Sequence, residues 1–191
     1  MPVPKTIAAV LLLLSAARAA PTEMKRACTT VAPSVIDVLR ISTPDNASPG
    51  QQFTLSRSGS PVGDTQRSAL SFDVPPGSTG CMLQVQIPVL TENEQIASGQ
   101  SRVDIWSTQP WTSASLPTWN NPPQRDQFVS TFGFETEETS APFQTILHSN
   151  TCSTTMSYLV ELSGWQGEGS VNFSNSPGGV DGIGFSMVFN C

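Results

Sequence analysis

Residues 68–88 read SALSFDVPPGSTGCMLQVQIP, two runs of alternating apolar and polar residues on either side of a Pro-Pro-Gly break. Leu70, Phe72 and Val74 share one side of the first run; Leu83, Val85 and Ile87 lie opposite Gln84 and Gln86 in the second. A period of two belongs to a strand with one buried face. Pro75-Pro76-Gly77 is turn punctuation. The same pattern recurs along the chain. Gln51 to Arg57 puts Phe53 and Leu55 on one face, and Gly182 to Phe189 points Ile183, Phe185, Met187 and Phe189 one way. Arg102 to Trp106, Gln127 to Phe134, Phe143 to Leu147 and Met156 to Leu162 also alternate. Ser34 to Ile41 satisfies either period, and β-branched Val35, Ile36 and Val38 favour a strand. Breaks at Ser60 to Asp64, Asn120 to Pro123 and Pro177 to Gly179 separate these runs. Eight or more short strands with turns at this spacing predict an all-β, antiparallel, jelly-roll-like sandwich.

The chain has 191 residues, a length that favours one domain with one core. Its formal charge of −6 argues against a nucleic-acid partner, since that affinity comes from Lys and Arg at phosphates. Residues 1–19 read as a secretory signal peptide, with Lys5 as the basic region, Ile7 to Leu14 as the apolar region and Ala17-Arg18-Ala19 as the cleavage site. The apolar run is far shorter than the ~20 residues that span a bilayer, so no membrane anchor is expected in the mature form. Lys25-Arg26 is a dibasic pair, which makes 20–26 a candidate propeptide and 27–191 the sandwich domain. Beyond Ala27 no lysine remains, which excludes Schiff-base and P-loop lysine mechanisms. The expected location is extracellular or in a cell wall.

Four cysteines, Cys28, Cys81, Cys152 and Cys191, imply two disulfides in an exported chain. They lie too far apart for a zinc site, and His148 is the sole histidine, so neither a metal nor another cofactor is expected. If the terminal strands run antiparallel side by side, Cys28 meets Cys191 and Cys81 is left for Cys152. Asn172-Phe173-Ser174 and Asn46-Ala47-Ser48 are glycan acceptor motifs, the latter handicapped by Pro49.

A Ser-His-Asp triad would need His148, yet no G-x-S-x-G elbow surrounds any serine and His148 reads as a strand end at a loop edge. Glycoside hydrolysis needs only two carboxylates, with Asp73, Asp104, Asp126, Glu161 and Asp181 as candidates. Asp104 and Glu161 interrupt apolar strands at alternating positions and are expected to face solvent. Glu135, Glu137 and Glu138 read as a solvated turn. Sugar recognition uses flat aromatic faces flanked by hydrogen-bonding groups. The candidate ligand site is therefore Trp106, Trp111, Trp119, Asn120, Asn121, Arg125 and Asp126, with packing at the core edge as the competing role for Trp106. Trp165, in the turn Gly164 to Gly167, is the most loop-like tryptophan.

Three stretches together resemble a known family: Ser71-Phe72-Asp73-Val74-Pro75 running on to Gly80-Cys81-Met82-Leu83, then Thr118-Trp119-Asn120-Asn121-Pro122, then Thr151-Cys152 with a final Val188-Phe189-Asn190-Cys191. These are similar to small secreted fungal proteins of the But-two C-terminal domain family, named after a ubiquitin-three binding protein, over residues 35–191. The resemblance implies an all-β, secreted or cell-wall-associated domain, with no ubiquitin partner for an exported chain. Trp111-Thr112 and Thr118 to Pro123 are also similar to polysaccharide-binding sandwich modules. The expected function is a non-enzymatic extracellular domain associated with the cell wall or its polysaccharide. The alternatives are a carbohydrate-active enzyme with paired carboxylates and a protein-binding host-interaction factor.

Overall fold

The computed structural model describes residues 27–59 and 64–191; the expected signal peptide, propeptide and most of the Ser60–Asp64 break lie outside the described residues. Over the described residues the chain is all strand and turn, with no helix. The smaller sheet has the order β1 (Thr29–Val31), β13 (Gly184–Phe189), β6 (Cys81–Ile87), β10 (Phe143–Asn150), antiparallel throughout. The larger runs β7 (Ala97–Gly99), β12 (Gly169–Ser174), β4 (Gln52–Arg57), β5 (Gln66–Asp73), β11 (Thr155–Leu162), β8 (Arg102–Thr108), β9 (Arg125–Gly133). On β5, β2 (Val35–Arg40) takes most of the edge that faces β4, and β3 (Pro49–Gly50) pairs with β2. Where β4 parts from β5, the buried Ser68 hydroxyl bridges them, accepting from the Thr54 N–H at 3.0 Å and donating to its carbonyl at 2.8 Å.

Alternation fixes what each sheet turns inward. Leu83, Val85 and Ile87 of β6 and Phe185, Met187 and Phe189 of β13 face Leu70 and Phe72 of β5, Tyr158 and Val160 of β11, and Phe53 and Leu55 of β4. Ile183 packs at the rim. Phe53 sits at the centre, its ring 4.8 Å from Phe173, 5.0 Å from Phe185 and 6.1 Å from Phe134. Asn175 closes one end as a side-chain substitute for a strand: its Oδ1 accepts from the Phe185 N–H at 2.7 Å and its Nδ2 donates to the Phe185 carbonyl at 3.2 Å. That clamp needs glycine at 184, where φ is +119° and a Cβ would lie 2.1 Å from Asn175 Oδ1.

Both disulfides form as the antiparallel ends require. Cys28 joins Cys191 with Cα atoms 4.3 Å apart, beside the Thr29↔Phe189 pair, and Cys81 joins Cys152 at 5.1 Å. Paired cysteines are the chemistry of an oxidising compartment.

Some details differ from the sequence expectations. β8 runs to Thr108, β9 starts at Arg125, and β10 runs to Asn150 through a bulge between Ile146 and His148. His148 therefore lies within a strand. Its Nδ1 is 3.3 Å from the Tyr158 hydroxyl, and burial lowers its pKa.

Asp37 of β2 is fully buried: Oδ1 accepts from the Ser48 N–H at 2.7 Å while Oδ2 has no hydrogen-bond partner. Burial raises its pKa, against the pull of that N–H and of Arg40. A carboxyl whose folded pKa exceeds its unfolded value of about 3.9 favours the fold below that value, and the benefit disappears as pH climbs through the folded pKa. Asp37→Asn keeps an acceptor for Ser48 and removes the charge. Urea titrations should show the variant more stable than wild type by ~1 kcal/mol at pH 7 and equal to it at pH 3. A variant weaker than wild type at pH 7 would contradict this account.

Candidate functional site

The loop 109–124, which joins β8 to β9, folds back over β2, β5 and β11 on the outer face of the large sheet. Trp111 drives this. It is 6% exposed and packs on Val35, Leu39, Ala69 and Leu159, a second small core outside the sandwich, with Leu116 and Trp119 at its margin. Its carbonyl accepts from the Ser71 hydroxyl at 2.7 Å, and its N–H donates to Ser157 Oγ at 3.3 Å. The loop's neck is closed by the Gln109 N–H on the Gln124 carbonyl at 2.9 Å. Its tip is a tight turn in which Thr118 and Asn121 exchange backbone hydrogen bonds at 3.1 and 3.2 Å. Asn120 ties that tip to the neighbouring 41–48 segment through Pro44 O, and through Asp45 Oδ1 at 2.8 Å.

Beside this loop the outer face carries a continuous row of side chains. The Arg67 guanidinium lies 4.4 Å over the Trp119 ring, and its Nε is 3.2 Å from Glu161 Oε2. Arg125 Nη2 meets Glu161 Oε1 at 2.6 Å, and its guanidinium lies 4.9 Å over Trp106. Trp106 in turn meets the edge of Phe128, centroid to centroid 5.1 Å, and Phe128 is 46% exposed. Trp119, Arg67, Glu161, Arg125, Trp106 and Phe128 thus span β5, β11, β8 and β9. Burial lowers the Arg67 pKa, with Glu161 opposing; a guanidinium stays charged regardless.

Glu161 is also directly opposite Asp104 in the β11–β8 ladder. Facing residues in such a pair have Cβ atoms about 5 Å apart. The two acids do face outward as expected, but neither is free. Both Glu161 oxygens are held by arginines, and Asp104 Oδ1 accepts from the Thr131 hydroxyl at 2.8 Å and the Ser163 hydroxyl at 2.7 Å.

The structure therefore brings together Trp106, Trp119, Asn120 and Arg125 of the expected site. Asn121 and Asp126 are exposed beside them on the loop tip and on β9. Trp111 points inward and supports the loop. Trp106 does not cap the core edge: Val103 and Ile105 turn inward, and Trp106, next after Ile105 and opposite Leu159, turns out. Sequence reading missed Arg67 and Phe128 altogether, because only strand register sets them beside the tryptophans. Trp165 is 70% exposed, as its turn suggested. Asn46 and Asn172 are both exposed, and Asn172 Oδ1 accepts from Gln52 Nε2 and Thr54 Oγ1. Away from this face, a cleft of about 440 Å³ opens near the β9 and β10 edges, lined by Ile87, Phe132, Pro142 and Phe143 with Glu135 and Glu138. Comparison with protein-family models and with curated proteins gives no match.

Proposed function

We propose that this chain is an exported, non-enzymatic sandwich domain that associates with cell-wall polysaccharide through the outer face of its large sheet. One observation carries the reading: Trp106 and Trp119, apart in sequence, stand on one face on either side of the Arg67–Glu161–Arg125 row. Pyranose C–H faces pack on indole surfaces while hydroxyls need fixed polar partners. The ion-paired arginines hold both rings in place and present N–H donors at the open side. Export rests on the leader-like residues 1–19 and on the two disulfides, and the cell-wall assignment on the resemblance to the But-two C-terminal domain family.

The glycosidase alternative needs one carboxyl that carries a proton to the leaving oxygen. Glu161 has both oxygens committed to guanidinium groups, which leaves neither open to a glycosidic oxygen and speaks for binding over hydrolysis. In a pull-down on insoluble chitin, β-glucan and mannan, the wild type should be retained on at least one polymer. Trp106→Ala and Trp119→Ala should each weaken retention about tenfold, the effect of losing one stacking platform worth ~1.4 kcal/mol. Soluble sugar in the supernatant that disappears in Glu161→Gln would establish the enzyme instead.

A further inference from the structure

The turn that follows β11 holds an exposed indole on an unusually constrained backbone. Trp165 is 70% exposed. Arg57 of β4 donates to three carbonyl oxygens of this turn: Nη2 to Leu162 O at 2.8 Å, and Nη1 to Ser163 O and Gln166 O, both at 2.9 Å. The Gln166 N–H donates back to Ser163 O at 3.0 Å, and the Gly167 N–H to Gln100 Oε1 at 2.6 Å. The Ser163 N–H donates to Arg102 O at 3.0 Å. A side chain that merely fills a surface turn does not need its backbone fixed from three directions. Fixing it does lower the ordering cost of any contact the indole makes.

The place of the turn links it to the face described above. Ser163 lies two residues beyond Glu161, and its hydroxyl donates to Asp104, the cross-strand neighbour of Glu161. From Glu161 to Trp165 the chain covers at most ~13 Å at about 3.3 Å per residue. The third accessible indole therefore belongs to a turn off the end of β11 within that distance of Glu161, while Trp106 and Trp119 lie across the strands.

We propose that Trp165 is a distal stacking platform for a polysaccharide chain already lodged at the Trp106–Glu161–Trp119 face, with Arg57 as its positioning residue. The inference rests on the polysaccharide reading of that face and adds a length requirement to it: a ligand must reach from Glu161 to the turn before Trp165 contributes. The test uses the full secreted chain with the disaccharide and the hexasaccharide of whichever polymer retains the wild type. Trp165→Ala should weaken hexasaccharide binding about tenfold and leave disaccharide binding unchanged. Arg57→Lys should show the same split in milder form, with Trp165 becoming more open to acrylamide quenching. Trp106→Ala and Trp119→Ala should weaken both ligands. Trp165→Ala that binds both as wild type does, or loses both equally, overturns the distal platform and leaves the face intact. A wild type retained on no polymer overturns both readings.

Discussion

Replacing Cys28 and Cys191 together by serine should lower unfolding free energy by about 5 kcal/mol, the chain-entropy value for a link of this span. The bond joins residues 163 apart in sequence, so its loss frees nearly the whole described chain in the unfolded state. β1 adds only a three-residue ladder to β13, too little to hold the end in place unaided. A typical domain has only about 5–15 kcal/mol in total. Guanidinium titration of the double variant should therefore show a midpoint much reduced or no folded baseline at 37 °C. The Cys81–Cys152 link closes a shorter span of 71 residues, and its removal should cost about 4 kcal/mol. A drop below ~1 kcal/mol for the Cys28–Cys191 pair would mean that the unfolded chain is already held compact by other means.

The second large effect is expected at Phe53, which is fully buried and meets the rings of Phe134, Phe173 and Phe185. Phe53→Ala removes the ring on which β4, β12 and β13 converge. It should cost about 3–5 kcal/mol, because lost burial is joined by a cavity that the surrounding rings, held on β12, on β13 and just past β9, do not refill. Phe128→Ala is the matched control: its ring is nearly half exposed on the outer face, and the change should stay within ~1 kcal/mol. Equal losses at the two positions would place the centre of the core elsewhere.

Most of the sandwich was legible because its inward residues recur at a strict period of two. Leu83, Val85 and Ile87, and Phe185, Met187 and Phe189, point inward where alternation puts them. The cysteine pairing followed from one topological assumption, that the first and last strands lie together, and β1 against β13 meets it. β7 and β1 escaped notice because three residues are too few to show a period. The stretch at Gly169–Ser174 did carry the alternation, in Val171 and Phe173, but glycine and serine around them read as loop. The site was legible in part. Trp106, Trp119, Asn120 and Arg125 stood out as an aromatic and polar cluster. What that cluster hid was its division of labour: Trp111 anchors the loop to a second core. Arg67 and Glu161 complete the row from strands whose register no local pattern reveals.

The adjacency of the two chain ends also dictates an order of events at birth. Cys28 emerges from the ribosome 163 residues before Cys191, as its neighbour Thr29 emerges before most of the strand it pairs with, Phe189 included. Until then its thiol meets Cys81 first, and a bond between those two would trap β1 away from β13. Any such link has to be undone by thiol exchange before Cys28 can join Cys191. Yield in a host lacking a disulfide isomerase should suffer accordingly.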